Sequence, residues 1–317
     1  MIYDFAIVGA GIAGASLAAE LGERGVSVLL LEGEDQPGYH ATGRSAAFWD
    51  ECYGGPDIVP LTLASGNYLQ ENGFLTQRGA LYIGRDADEA KLARFMDRFS
   101  GTGAGIERVG EPILKAHIAS LRSEWTHGIW EPACADINVA SLHAHFLALS
   151  RATAVDLKCR AALQAASRAE GVWTLDCGKA GSFRASVLVN AAGAWADGVA
   201  VAAGARPISI QPLLRTVVQL RTEPAPASDQ PLVLDISGQF YFKPDGGRLW
   251  ISPHDEEPSK PCDAAPEELA VATAIHRLEQ VVDLRIEAVE KRWAGLRSFA
   301  PDRLPVYGFD PFVEGFA

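Results

Sequence analysis

Phe5-Ala6-Ile7-Val8-Gly9-Ala10-Gly11-Ile12-Ala13-Gly14 is the stretch whose reading decides the fold. Its first four residues are a short apolar run, the next six spell G-x-G-x-x-G, and an Ala- and Leu-rich segment follows to Arg24. That order reads as strand, tight turn, helix. Gly25 stands where a helix ends in the left-handed conformation, and Val26 to Leu31 read as a second buried strand closing at Glu32. The unit is βαβ. In such a turn the first glycine permits the bend, the second lets a pyrophosphate approach the backbone, and the third lets helix and strand close on each other. The free amides at the helix start, here Ile12 and Ala13, favour negative charge. A carboxylate at Glu32 can accept both hydroxyls of an adenosine ribose, and it disfavours a 2′-phosphate. A glycine-rich turn alone could serve only backbone geometry; strand, turn, helix, strand and acid in order point to a dinucleotide.

The rest of the chain is consistent with that start. A length of 317 residues exceeds one comfortable core and predicts two domains. With 48% hydrophobic and 21% charged residues, composition is that of a soluble globular protein. The net charge of -12 repels phosphate backbones, so nucleic acid is not an expected partner. Five widely spaced cysteines with no C-x-x-C pair predict neither a disulfide nor a zinc framework. His143 and His145 lie two apart on a predicted helix and so on different faces; no metal is expected. No apolar run is long enough to span a bilayer, and no leader pattern precedes the motif. The expected location is cytoplasmic, with peripheral contact to the inner membrane left open.

Helices are predicted at Leu61 to Leu69, Ala87 to Phe99, Val139 to Ser150 behind an Asn138 cap, and Glu267 to Val282. Gln36 to Ala47 reads as a loop leading into a helix. Strands are predicted at Ala80 to Ile83, in a meander over Ala161 to Ala185, at Val187 to Val189, and at Thr216 to Arg221, Gln239 to Lys243 and Leu249 to Ser252. The chain closes with Trp293 to Arg297 followed by a loop.

FAD and NAD share the opening motif, and Thr42-Gly43-Arg44-Ser45 tips the reading toward FAD: a donor-rich loop soon after the ribose acid suits a long, permanently buried cofactor. The small-residue run Ala191-Ala192-Gly193-Ala194-Trp195 likewise suits backbone lying close to a ligand. With these residues the sequence resembles the D-amino-acid oxidase superfamily of FAD enzymes, most closely the bacterial D-amino-acid dehydrogenases that include D-arginine dehydrogenase. The resemblance runs through Ile7 to Gly14, Gln36 to Ala47, Ala135 to Ile137, Val187 to Trp195, Phe240 to Asp245 and Trp293 to Phe299. It implies an α/β fold: a Rossmann-like FAD-binding domain from residues 1–48, 133–211 and 293–317, and an α+β, mixed-sheet substrate domain from 49–132 and 212–292. It implies non-covalent FAD against Gly9, Gly11, Ile12, Ala13, Gly14, Glu32, Thr42, Gly43, Arg44, Ser45, Ala162, Ala192, Gly193 and Trp195. It further implies a substrate carboxylate held by Arg297, Arg215 and Tyr241, with Tyr53 lining the pocket from the opposite lobe.

The implied reaction is hydride transfer from Cα of a D-amino acid to the flavin, giving an imino acid, with oxygen or a quinone as final electron acceptor. A secondary-amine or 2-hydroxy-acid oxidase of the same superfamily would need the same clamp. Ala80 stands where the arginine-preferring relative has a glutamate, and Phe48 and Asp50 replace its pocket histidine and threonine, which argues against a D-arginine substrate. Asp50 and Glu51 read as solvated loop acids, with receipt of an amine or basic side chain from the other direction as the alternative. Family members continue past the segment matching Val313 to Ala317 into a further strand, glycine turn and helix, so the expectation also includes a truncated, non-catalytic remnant.

Overall fold

The computed structural model describes residues 1–118 and 120–317. Strand β1 (Tyr3–Val8), helix α1 (Ile12–Glu23) and strand β2 (Val28–Leu31) form the anticipated unit, with β1 and β2 parallel and in register from Phe5–Val28 to Val8–Leu31. On its other edge β1 pairs in parallel with Ser182–Asn190, and β2 pairs in parallel with Val155–Lys158. Four parallel strands thus carry the dinucleotide-type sheet. The antiparallel strands Ala165–Ala169 and Val172–Asp176 extend it to six. Leu29, Leu30 and Leu31 are fully buried because both faces of this sheet are covered. One face packs with α1 and Leu147 of the helix Val139–Arg151; the other packs with Trp173, Leu175, Val199 and Phe316.

A second sheet of eight strands is the larger element. Gln211–Glu223 pairs antiparallel with Arg285–Phe299 on one side and with Arg248–Ser252 on the other; Tyr241–Asp245, Leu232–Asp235, Ala80–Gly84, His127–Glu131 and Glu107–Gly110 complete it. Side chains alternate across a strand. One face therefore takes Val218, Leu220, Leu249, Ile251 and Phe242, and packs with Val271, Ala274 and Leu278 of the helix Glu268–Glu279 in one core. The opposite face takes Arg215 and Trp293. A small sheet of Phe48–Trp49, Ala135–Ile137 and Leu75–Gln77 lies between the two large ones in the chain.

Three expectations need correction. Trp293 to Arg297 lies in the second half of the 15-residue strand Arg285–Phe299, ahead of the expected loop. The boundary placed at residue 293 falls inside that strand, so 293–299 go with the eight-stranded sheet. Ser182 to Ala185 and Val187 to Val189 are one strand of nine residues, because Ala185 and Val187 to Asn190 all pair with β1. Gln36 to Ala47 leads into no helix: its hydrogen bonds, such as Gly43 N–H to Gly38 O at 2.7 Å, close turns, and the strand Phe48–Trp49 follows.

Candidate active site

The crevice opens at the carboxyl ends of the parallel strands, where β1 lies between Ser182–Asn190 and β2 and the connections leave in opposite directions. Gly9 takes φ +102, and a methyl there would run into the Ala191 carbonyl; a methyl at Gly14 would overlap the Gly9 carbonyl oxygen. Both glycines are thus required by space. Gly11 differs: a methyl would meet only Thr42 Oγ1, at 3.1 Å, so its side faces the crevice. The Ile12 amide donates to that hydroxyl at 3.0 Å, and the amides of Ala13 and Gly14 find no acceptor among the described residues. A helix start with unsatisfied donors beside an open glycine fits a diphosphate.

Glu32, at the end of β2, accepts from Ala10 N–H at 3.1 Å and Glu34 N–H at 3.0 Å, which fixes its carboxylate at the mouth of the turn. Ala162 lies alongside Gly33, within the same end of the crevice. Ala191 N–H donates to Val8 O at 2.9 Å, Ala192 N–H to Asn190 Oδ1 at 3.3 Å, and Gly193 turns the chain at φ +54 into Trp195. These residues therefore line one crevice with the glycine turn. Two histidines support it unannounced by any spacing: buried His143 hydrogen-bonds Ala10 O at 2.8 Å, and His40 bonds Glu34 at 2.8 Å with its ring 4.4 Å from Trp195.

The loop Thr42-Gly43-Arg44-Ser45 joins the crevice to the large sheet. The Arg44 guanidinium is engaged by protein groups. It donates to Ala264 O at 2.7 Å, Ala294 O and Tyr39 O at 3.3 Å, and the carboxylate of Asp263. Trp293 Nε1 donates back to Arg44 O at 3.1 Å. Thr42 and Ser45 also line a cavity of about 620 Å³ with Asn138, His143 and Lys243, which reaches neither Gly11 nor Arg297.

Arg215 lies opposite Gly295, and Arg297 lies opposite Leu213, so the two arginines are diagonal neighbours on one face of an antiparallel pair. Val218 faces Ile251 and Tyr241 faces Ser252; parity therefore brings Tyr241 onto the same face as Arg215. Tyr53 arrives from the other side and accepts a hydrogen bond from Arg297, whose guanidinium also lies 5.4 Å over its ring. All four residues expected in the pocket thus meet. Burial, then the like charge of Arg297, presses the Arg215 guanidinium below its ordinary value; burial raises the Tyr241 hydroxyl, against the pull of Arg215. Tyr241 stays a neutral donor.

The loop after Arg248–Ser252 adds residues that no motif announced. Arg215 Nε donates to Asp255 O at 2.9 Å, and Glu256 approaches Arg215, Arg297 and Arg303 together. His254, in the left-handed region at φ +55, hydrogen-bonds Gly238 O at 2.7 Å; burial first, then Arg215, pushes its imidazole down to about 4, so it is neutral at ordinary pH. Its only sequence signal was a run of polar residues between a strand and Pro258.

Asp50 and Glu51 are not solvated acids. Asp50 accepts from Tyr82 at 2.7 Å and Cys52 N–H at 2.8 Å, Glu51 accepts from Gly105 N–H at 2.6 Å, and Glu131 accepts from Glu51 N–H at 2.8 Å. The ligand-type atoms of Asp50, Cys52 and Glu131 lie within 4.8 Å of one another. Glu131 Oε2 is buried without a donor, and burial followed by the charge of Asp50 raises this carboxyl to about 9. Burial beside Asp50 thus favours the neutral, protonated form of the Glu131 carboxyl.

The family whose description is FAD dependent oxidoreductase matches residues 4–316. The chain belongs to that family. It is an oxidoreductase that uses FAD. The chain is 27% identical over 328 residues to the tRNA 5-methylaminomethyl-2-thiouridine biosynthesis bifunctional protein of Burkholderia mallei, covering 96% of this chain and 48% of that one. It therefore spans about half the length of the curated relatives it matches. Among solved structures, glycine oxidase from Geobacillus kaustophilus superposes with a TM-score of 0.85 at 24% identity, covering 99% of this chain and 87% of that one. L-α-glycerophosphate oxidase from Mycoplasma pneumoniae, with FAD bound, reaches 0.87 at 16% identity, over 100% and 88%. At those identities the likeness is one of fold. Among the described residues no helix is long and apolar enough to cross a membrane.

Proposed function

We propose that this FAD enzyme oxidises the Cα–N bond of a small D-amino acid, with Arg215 and Arg297 as the clamp for its carboxylate. The convergence of these two guanidiniums on one face, beside Tyr241 and Tyr53, carries the reading. Two forks held by strand register match a carboxylate bidentately and stay charged at any relevant pH. Tyr241 adds a neutral donor, and Tyr53 closes the clamp from the side of the small sheet. The Arg44 joint holds the glycine crevice and the clamp in one continuous line: Gly11 meets Thr42, Arg44 meets Gly295, and Arg297 lies two residues further along the strand. FAD, held by the Gly9 to Gly14 turn, would supply the two-electron acceptor for the Cα hydride, and the amine proton would pass to water to give an imino acid that water hydrolyses. The protein's part is to fix Cα relative to the cofactor, so positioning counts for more than any strong base.

The D configuration rests on the sequence resemblance. Ala80 is fully buried, and Asp50 and Glu51 are engaged away from the clamp, so no free acid at these positions meets a cationic side chain. That supports neutral substrates over D-arginine. A secondary amine is the second reading, favoured by the Burkholderia relative, whose name concerns a methylaminomethyl compound. Anaerobic mixing of the FAD-loaded protein with a panel of D-amino acids, glycine and sarcosine separates the two. Bleaching of the flavin band by neutral D-amino acids is expected; bleaching by sarcosine alone would replace the first reading with the second.

A further inference from the structure

Among the described residues, Glu256 is the one carboxylate that forms ion pairs with both arginines of the clamp. Its Oε1 lies 3.3 Å from Arg215 Nη2 and 3.5 Å from Arg297 Nη1, while its two oxygens accept from Arg303 at 3.1 and 2.6 Å. The backbone beside it cannot drift. Thr216 binds the Asp255 carboxylate through its amide and its hydroxyl, both at 2.7 Å, and Leu214 N–H donates to Glu257 O at 2.9 Å. Arg303 is held as well: Phe299 carries Arg297 at 4.6 Å and Arg303 at 4.7 Å from its ring centroid. Three guanidiniums therefore share this resident carboxylate, whose side chain is one-third exposed.

We infer that Glu256 is a specificity-determining residue: it occupies donors of Arg215 and Arg297 until a substrate carboxylate displaces it, and it then withdraws onto Arg303. This rests on the reading of Arg215 and Arg297 as a carboxylate clamp. With one substrate carboxylate in place the cluster holds three cationic and two anionic groups. A second substrate carboxylate could be neutralised only by Arg303, which Glu256 already holds. Glu256 thus weakens amines with two carboxylates more than amines with one.

Calorimetric titration of the FAD-loaded full chain with acetate and with glutarate tests this. Glu256→Gln removes the competitor and should tighten acetate by about tenfold, and glutarate by more, since Arg303 becomes available. Arg303→Gln should do the opposite and weaken acetate several-fold, because Glu256 then falls back on Arg215 and Arg297. Opposite signs cannot come from general loosening of the site. Unchanged or weaker acetate binding in Glu256→Gln, an equal gain for acetate and glutarate, or both variants shifting the same way overturns the proposal. Arg297→Ala separates the two layers. If it leaves acetate binding intact, the clamp itself is wrong and Glu256's role goes with it; if it abolishes binding while Glu256→Gln changes nothing, only the role of Glu256 is lost.

Discussion

Gly14 and Arg297 are single positions with large expected effects, for opposite reasons. At Gly14 an added methyl would overlap the Gly9 carbonyl oxygen, and backbone cannot yield as a flexible side chain can. Gly14→Ala should therefore purify without flavin absorbance and fail to regain it with added FAD; a yellow variant would move the cofactor away from this turn. At Arg297 the loss is one of charge. Removing a charge-assisted fork costs about 1.5–3 kcal/mol, so Arg297→Ala should raise KM for the amino acid by roughly ten- to 150-fold. Initial rates across substrate concentration give that number, and an unchanged KM removes Arg297 from the clamp. Both residues were legible in the sequence, one through a motif and one through resemblance. Glu256 and Arg303 were not, because an acid in a polar loop and an arginine after a proline look like any solvated surface until a third element brings them together.

At the scale of elements, the Asn138 cap behaved as local chemistry dictates, whereas strand extents and loops did not. Asn138 Oδ1 accepts from Ser141 N–H at 3.0 Å and starts the helix Val139–Arg151 as its residue type predicts. Asp50 to Cys52 was misread, since nothing in three consecutive residues shows that Glu131, eighty positions on, will lie against them. That carboxyl pair makes stability depend on pH with a definite sign. Glu131 is raised to about 9 in the folded protein, against an unfolded value near about 4.3. The folded state then binds more protons, so the contribution is whole below the unfolded value and is lost as pH rises toward about 9. Glu131→Gln keeps the acceptor for Glu51 N–H and supplies a permanent donor to Asp50. Thermal melts between about pH 5 and pH 8 should show the wild type losing stability across that range relative to the variant; parallel curves would mean that Glu131 is not held protonated.

Over the whole molecule, the decisive contact is the Arg44 joint between the dinucleotide loop and the eight-stranded sheet. Its guanidinium reaches Asp263, Ala264, Ala294 and Tyr39, so Arg44→Ala should cost about 1.5–3 kcal/mol and lower the melting temperature by roughly 3–8 °C. In urea the variant should release FAD before its tryptophan fluorescence changes. Coincident, unshifted transitions would show that the joint couples nothing. The βαβ unit, its glycine turn and the acid that closes β2 were determined by the sequence alone, because each depends on residues within about 30 positions of one another and on period, bend and charge that are local properties. Which face of the large sheet carries Arg215, Tyr241 and Arg297, where the strand Arg285–Phe299 joins it, and that Glu256 lies among three arginines were decided only by tertiary structure. Strand partners are chosen by which long-range pairing buries the most apolar surface with its hydrogen bonds satisfied, and that choice is made by the chain as a whole.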